Sequence, residues 1–296
     1  MVTVFQFNDI LHSVDVYYYK PPEGFSNFGD ELNNWLWPRL IPNLADRSPG
    51  TLMLAIGTIL NEAIEAKTNN YRNTIVFGSG HGYGDVPKSL KNWKVYFVRG
   101  PHTAKSLSLN QKLAITDPGV LVAKFYSQRG PNPNGPVGYM PHFRWGRPEI
   151  WSRICKNSNV LLVDPRDPIE TVIKNILSVK VLLTEAMHGA IISDCLRVPW
   201  IPIVSHERIL ISKWQDWADS LDLKYEPINL KSLWTYLPEK KDFKYRMLKY
   251  VLKGMAVREL EKIAIRIKPT LSSDKILDLR LRQIDEKISE LCTVQI

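Results

Sequence analysis

Short β-rich runs and helix-length amphipathic segments alternate along most of the chain. The runs VDVYYYK (14–20), TLMLAIG (51–57), NTIVFGSG (73–80) and KVYFVRG (94–100) form one set. PVGYMPHF (136–143), NVLLVDP (159–165), VLLTEA (181–186) and WIPIVS (200–205) form another. Each is bounded by turn signals and is the length of a strand rather than a helix. Helix-like segments lie among them at 30–41, 101–110, 147–156, 168–179, 188–197 and 211–221. Strand–helix alternation of this kind predicts parallel sheets covered by helices, an α/β architecture.

The segment RGPNPNGP (129–136) separates the two sets and holds three prolines and two glycines. It predicts a linker, with one α/β domain over 1–128 and a second over 129–240. After residue 240 the strand pattern stops, and 241–296 reads as two helices, 242–267 and 272–291, split by Pro269. In the last of these Leu277, Leu281, Ile284, Ile288 and Leu291 recur at spacings of four and three, which makes one apolar face.

Composition narrows the class. The chain has 296 residues, 44% of them hydrophobic and 23% charged, as in a globular protein. No apolar stretch is long enough for a spanning helix, and MVTVFQFNDILHSVD lacks the basic flank and apolar core of a secretory signal. Cys155, Cys195 and Cys292 show no CxxC spacing, which fits a reducing compartment and predicts no metal site. The expectation is a cytoplasmic protein. Its formal charge of +9 is uneven: residues 240–268 hold ten Lys/Arg against three Asp/Glu. A basic helix there reads either as a solvated face or as a surface for anionic lipid, nucleic acid or substrate.

In parallel sheets ligands collect beyond the carboxyl ends of strands, so the residues just after each strand are the candidates. Asn27 and Asp30 follow the first run, in SNFGDELNNWLWPRL (26–40), with Leu32, Trp35, Leu36 and Leu40 as the buried stripe. Asp30 either complements a helix N-terminus or meets a ligand. FGSGHGYGD (77–85) follows the third run, and its glycines invite an anion to Ser79 and Gly80, with His81 beside them. Arg99 ends the fourth run before a Gly-Pro helix start, suited to an anion or to an ion pair. His142 and Arg144 share one short loop after the run 136–143. Glu185 and His188 bracket the turn after 181–186, and Gly189 opens the next helix. A histidine there either caps the helix or carries a proton beside an anion, with Glu185 near enough to tune it. No Ser-His-Asp order and no HExxH occurs, which leaves a two-domain cleft suited to a small, strongly anionic ligand.

NFGDELN (27–33), FGSG (77–80), RGPHT (99–103), TDPGVL (116–121), GYMPH (138–142) and TEAMHGAIISDCLRVPW (184–200) stand in an order and spacing that resembles the polysaccharide pyruvyl transferase family. More narrowly, the chain is similar to bacterial exopolysaccharide ketal-pyruvate transferases, over residues 15–205. The resemblance implies two Rossmann-like domains facing across a cleft (GT-B-like), with the C-terminal helix packing back on the first domain. It implies transfer of pyruvate from phosphoenolpyruvate, with no cofactor, to two hydroxyls of a sugar in a polysaccharide or lipid-linked oligosaccharide. One position departs: many relatives carry an arginine two residues before the histidine of the His-Gly pair, where this chain has Ala186. Arg99, Arg144 and Arg166 are the candidates to replace it.

On this reading His188 is the main acid/base, oriented by Glu185, and Asp30 is the acceptor-side base. Arg99, His142, Arg144, Ser79, Gly80 and Gly189 hold the donor, while Asn27, Asp30 and His81 meet the acceptor. The basic 240–268 helix is expected at an anionic inner-membrane surface. Two other readings remain: a GT-B glycosyltransferase with a nucleotide-sugar donor, and a basic module that binds nucleic acid or a lipid surface. The second leaves the strand-end glycines and histidines without a purpose, so no nucleic acid is expected.

Overall fold

A computed structural model describes residues 14–42, 44, 50–88, 90, 93–145, 148–156, 158–230 and 243–293, the side chains of 243–253 excepted. Each β-rich run identified in the sequence forms a strand. β1 (Val14–Tyr17), β2 (Thr51–Leu54), β3 (Asn73–Phe77) and β4 (Trp93–Phe97) make one sheet in the order β1-β2-β3-β4, all parallel. β5 (Val137–Met140), β6 (Val160–Leu162), β7 (Val181–Thr184), β8 (Trp200–Val204) and the two-residue β9 (Ile228–Asn229) make a second parallel sheet, ordered β6-β5-β7-β8-β9. β2, β5 and β7 are buried at every position. Covering both faces of a parallel strand demands such uninterrupted burial, which is why these strands do not alternate apolar with polar residues.

The α-helices whose bounds fall within the described residues are α1 (Phe28–Leu40), α2 (Glu65–Thr68), α3 (Pro101–Ser106), α4 (Pro148–Cys155), α5 (Ile169–Leu177), α6 (Met187–Cys195), α7 (Ile211–Ser220), α8 (Phe243–Arg266) and α9 (Asp274–Thr293). The protein is therefore mixed α/β, with two parallel sheets flanked by helices and a helical C-terminus, as a GT-B-like pair of Rossmann folds requires. A 3₁₀ stretch at Pro118–Phe125, which the sequence pattern does not announce, follows the first sheet.

The chain packs into two compact units. The first holds residues up to Val122 together with Leu210–Lys224 and Ser272–Ile296, so α7 and α9 belong to it; the second holds Ala123–Ile209 and Tyr225–Leu271. The proline-rich segment 129–136 is bound into the second unit. Gly130 N–H donates to Leu196 O at 2.7 Å and Asn132 N–H to Val179 O at 3.0 Å. In α9 the deepest positions are Leu277, Ile284 and Leu291, a seven-residue recurrence, with Leu281 and Ile288 half-buried between them. Arg280 Nε anchors α9 by donating to Ser220 O, at the end of α7, at 2.8 Å.

Each unit has its own core. Leu52, Leu54, Val76, Val98 and Ala104 centre the first. Val137, Tyr139, Trp151, Leu183, Ile201 and Leu260 centre the second, where Ala256, Leu260 and Ile263 form the inward face of α8.

Strand order decides where a ligand belongs. Among the described strands, the first sheet runs β1 to β4 in one direction. In the second sheet the chain leaves β5 for β6 on one side, then crosses back so that β7 lies on the other side of β5 and leads on to β8. Connections that depart in opposite directions from adjacent strands open a crevice at their carboxyl ends. That switch point lies between β5 and β7.

Candidate functional site at a topological switch point

The strand-end loops of the first unit are bound largely to one another. Asn33, on α1, is buried and donates to Asp30 O at 3.0 Å and Ile56 O at 2.9 Å. Its Oδ1 accepts from Ile56 N–H at 3.0 Å and from Trp37 Nε1 at 3.2 Å. This one amide brackets α1 to the residues after β2. It leaves Asp30 at the start of the helix, 8% exposed, accepting from Asn27 Nδ2 at 2.6 Å. The Tyr17 phenol is pushed up by burial first and by the Asp30 charge second. Asp30 thus touches Asn27 and acts on Tyr17.

The glycine-rich loop serves the fold. Gly80 N–H donates to Gly57 O at 2.9 Å, and Ser79, fully buried, donates its hydroxyl to Ala55 O at 2.5 Å. A Cβ on Gly80 would lie 2.1 Å from Arg99 Cζ. Gly78 adopts a φ of +100°, and a Cβ there would lie 2.2 Å from Pro118. The missing side chains make room for Arg99 and Pro118, and the Gly80 N–H expected to help cradle an anion is bonded to Gly57 O instead. His81 is half-buried; its N–H donates to Thr103 Oγ1 at 3.0 Å and its ring lies 3.3 Å from Gly84 O.

Arg99 also differs from its expected employment. It is fully enclosed, and its Nε donates to Asp216 Oδ2 at 3.0 Å, Nη1 to Thr58 Oγ1 at 2.7 Å and Nη2 to His81 O at 3.3 Å. Asp216 in turn accepts from Thr103 N–H at 2.9 Å and Thr103 Oγ1 at 2.6 Å. A guanidinium enclosed on all sides orders three segments of its own unit and presents no face to a solute.

The second unit differs. Its switch point is bordered by the loop after β5, which carries His142 and Arg144, and by the β7–α6 turn, which carries Glu185, Ala186 and His188. Glu185 is fully buried beneath them. Its carboxylate accepts from Tyr139 OH at 3.0 Å, from His142 N–H at 2.9 Å and from Ser205. Burial raises its pKa above the ordinary carboxyl value, and these hydrogen bonds oppose the rise. Glu185 therefore ties the loop after β5 to the loop after β8, whereas the sequence suggests a partner for His188. His188 is half-buried in the first turn of α6, where main-chain N–H groups without a partner inside the helix favour anions.

Thr184 caps the turn, accepting from Ala186 N–H at 3.0 Å and donating to Ala186 O at 2.9 Å. Gly189 is required here by space: a Cβ would lie 2.5 Å from Met140 Sδ and 2.6 Å from Thr184 Oγ1. The absent side chain thus faces the fold. His142 Nδ1 accepts from the N–H groups of Arg144 and Trp145, each at 3.2 Å, so the neutral ring carries its proton on Nε2. Arg144 lies over the Phe143 and Trp145 rings, at 5.4 and 5.5 Å. Arg166 Nε donates to Phe143 O at 2.7 Å and thereby holds the same loop from the β6 side.

Sequence reasoning misses Asp216 and the trio Trp145, His206 and Arg208. Trp145 stacks on His206, with centroids 5.8 Å apart and planes 19° from parallel, and Arg208 Cζ lies 4.4 Å from the same indole centroid. The Trp in GYMPHFRW and the HER triplet after β8 are visible in the sequence, but only the sheet order brings them together. Among the described residues, no group of three or more His, Cys, Asp or Glu side chains is positioned to hold a metal ion. No described helix is long and apolar enough to cross a membrane.

No family model matches the chain. It is 37% identical over 213 residues to the succinoglycan biosynthesis protein ExoV of Rhizobium meliloti (strain 1021), a match covering 71% of this chain. The match spans 66% of that relative, just under two thirds of its length.

Proposed function

We propose that the protein transfers pyruvate from phosphoenolpyruvate to two hydroxyls of a sugar, forming a cyclic ketal during assembly of a polysaccharide or its lipid-linked precursor. The observation that carries the reading is the β5–β7 switch point, bordered by His142, Arg144 and His188 and braced by Arg166. Similarity to a protein named for succinoglycan biosynthesis supports the polysaccharide setting.

The chemistry asks for anion-holding groups and for proton movement. His142, Arg144 and the first-turn N–H groups of α6 hold the phosphate and carboxylate of the donor. His188 delivers a proton to the donor's methylene carbon, so that the adjacent carbon becomes electrophilic. One sugar oxygen adds there and gives up its proton; the C–O bond to phosphate then breaks, and the second oxygen closes the ketal. The first hydroxyl proton balances the new methyl hydrogen, and the second leaves with inorganic phosphate. Asp30 acts as the acceptor-side base and Asn27 as a neutral hydrogen-bonding partner, with His81 as a further acceptor ligand. Glu185 and Arg99 are positioning residues.

The acceptor's lipid link motivates a second element of the reading. On α8, Met255 and Ile265 are 54% and 82% exposed. Arg258, Lys262 and Arg266, also exposed, share their face, opposite the buried Ala256, Leu260 and Ile263. Cations interleaved with apolar side chains suit an anionic bilayer surface.

The deciding experiment incubates the protein with phosphoenolpyruvate and a panel of lipid-linked and synthetic glycans. Phosphate release matched by pyruvate gain on a glycan is the expected result, with His188→Ala lowering the rate by about 10²- to 10⁴-fold. The two-sheet fold equally suits a nucleotide-sugar transferase. Thermal stabilisation by nucleotide sugars with none by phosphoenolpyruvate would select that reading.

A further inference from the structure

We infer that Arg208 is a second anion-binding residue of the β5–β7 switch point, held in place by Trp145, and that it receives a phosphate monoester dianion. The inference rests on the pyruvyl-transfer reading only for the identity of that monoester as phosphoenolpyruvate. The β7–α6 turn, Thr184-Glu185-Ala186-Met187-His188, contains no permanently charged cation. Its acid, Glu185, is buried and occupied with Tyr139, His142 N–H and Ser205. Permanent positive charge must therefore come from the loops on either side. Arg144 supplies it after β5. After β8, the other neighbour of β7, the chain reads His206-Glu207-Arg208.

These two loops begin two strands apart and meet at the indole of Trp145. Arg208 lies 4.4 Å and Arg144 5.5 Å from its centroid, which places the two guanidinium carbons within about 10 Å of each other. Like charges so near repel, and a dianion between them converts the repulsion into attraction. Arg208 is exposed, and among the described residues no carboxylate pairs with it. Its N–H donates to His206 Nδ1 at 3.0 Å, so the neutral His206 ring carries its proton on Nε2 as a further donor. Glu185 joins the loops below and the Trp145–His206 stack joins them above. The charges are thus fixed before the ligand arrives, which lowers the entropic cost of binding. A planar guanidinium stacks on indole and offers paired N–H groups to phosphate, which an ammonium does not.

The test is calorimetric titration of the full chain with inorganic phosphate and, separately, with phosphoenolpyruvate. Arg208→Ala is expected to weaken both by about 10- to 100-fold with an unchanged unfolding midpoint. Arg208→Lys recovers part of the loss, and Trp145→Leu, which keeps both cations but removes their platform, falls between. Binding of inorganic phosphate by Arg208→Ala within about twofold of wild type overturns the inference, as does failure of wild type to bind either probe. If phosphate binding depends on Arg208 while phosphoenolpyruvate binds no tighter and no glycan gains pyruvate, the anion site stands and the pyruvyl donor falls.

Discussion

Arg99 and Asp216, 117 residues apart in the chain, form an ion pair at 3.0 Å with side chains 0% and 1% exposed. The pair joins the end of β4 to α7, and Thr103 and Thr58 complete its hydrogen bonds. Removing one partner strands the other's charge away from water. Asp216→Ala should therefore destabilise the protein by about 3–5 kcal/mol, read as a lowered urea midpoint. The double change Arg99→Met, Asp216→Leu should recover much of that loss, because no buried charge remains. A midpoint for Asp216→Ala equal to wild type would show that Arg99 has another way to satisfy its charge.

Glu185 gives a prediction with a definite sign. Its folded-state pKa is raised by burial, so the folded protein holds that proton more tightly than the unfolded chain does. As pH rises above the ordinary carboxyl value of 4.5, ionising Glu185 costs the folded state stability until its own raised pKa is passed. Glu185→Gln cannot ionise and keeps the side-chain shape. Its stability relative to wild type should improve across that window by about 1.4 kcal/mol per pH unit, then level off. Urea midpoints of both proteins between pH 4.5 and 8 would reveal the slope. A flat difference means that the hydrogen bonds from Tyr139, His142 and Ser205 outweigh desolvation.

Short β-rich runs between turns locate every strand but β9; β2, β5 and β7, buried at every position, are the plainest, whereas β1 keeps Asp15 and β4 the exposed Lys94. β9 escapes since a two-residue edge strand, Ile228–Asn229, has no pattern to detect. The α1 stripe is legible at Leu32, Trp35 and Leu36, whereas Asn33 and Trp37 are buried for a reason outside periodicity, their bonds to each other and to Ile56. The site residues at strand ends follow from the rule that ligands gather there, but their duties do not. Asp216 looks like any solvent-facing acid of an amphipathic helix until Arg99 is found against it. Arg208 looks like a surface cation until the order β5-β7-β8 brings it to Trp145.

The exposed face of α8 predicts a salt-sensitive association. At low salt the protein should float with phosphatidylglycerol vesicles and not with phosphatidylcholine vesicles, since each basic residue near an anionic surface contributes about 1 kcal/mol. Lys262→Glu with Arg266→Glu should abolish flotation without lowering the unfolding midpoint, both side chains being exposed. No flotation with either lipid would make this a solvated face, and equal flotation with both would remove charge attraction as its basis.

Asp30 separates acceptor chemistry from donor binding, and Tyr17 reports on it independently. Asp30→Asn preserves shape and can keep an oxygen toward Asn27 Nδ2, but it removes the negative charge. If Asp30 takes a proton from an acceptor hydroxyl, turnover should fall by about 10²-fold or more while phosphoenolpyruvate affinity is kept. The same change removes one of the influences that raise the Tyr17 phenol, leaving burial as the larger. Without a neighbouring anion the phenolate is easier to form, so the Tyr17 pKa should move down toward its ordinary value of 10.0. Titration followed by NMR of ring-labelled tyrosine, assigned with a Tyr17→Phe control, measures that shift. A downward shift with lost turnover and retained donor binding supports the acceptor-side role. Lost donor affinity would instead make Asp30 part of the donor site, and an unmoved Tyr17 would mean that the Asp30 charge does not reach the phenol.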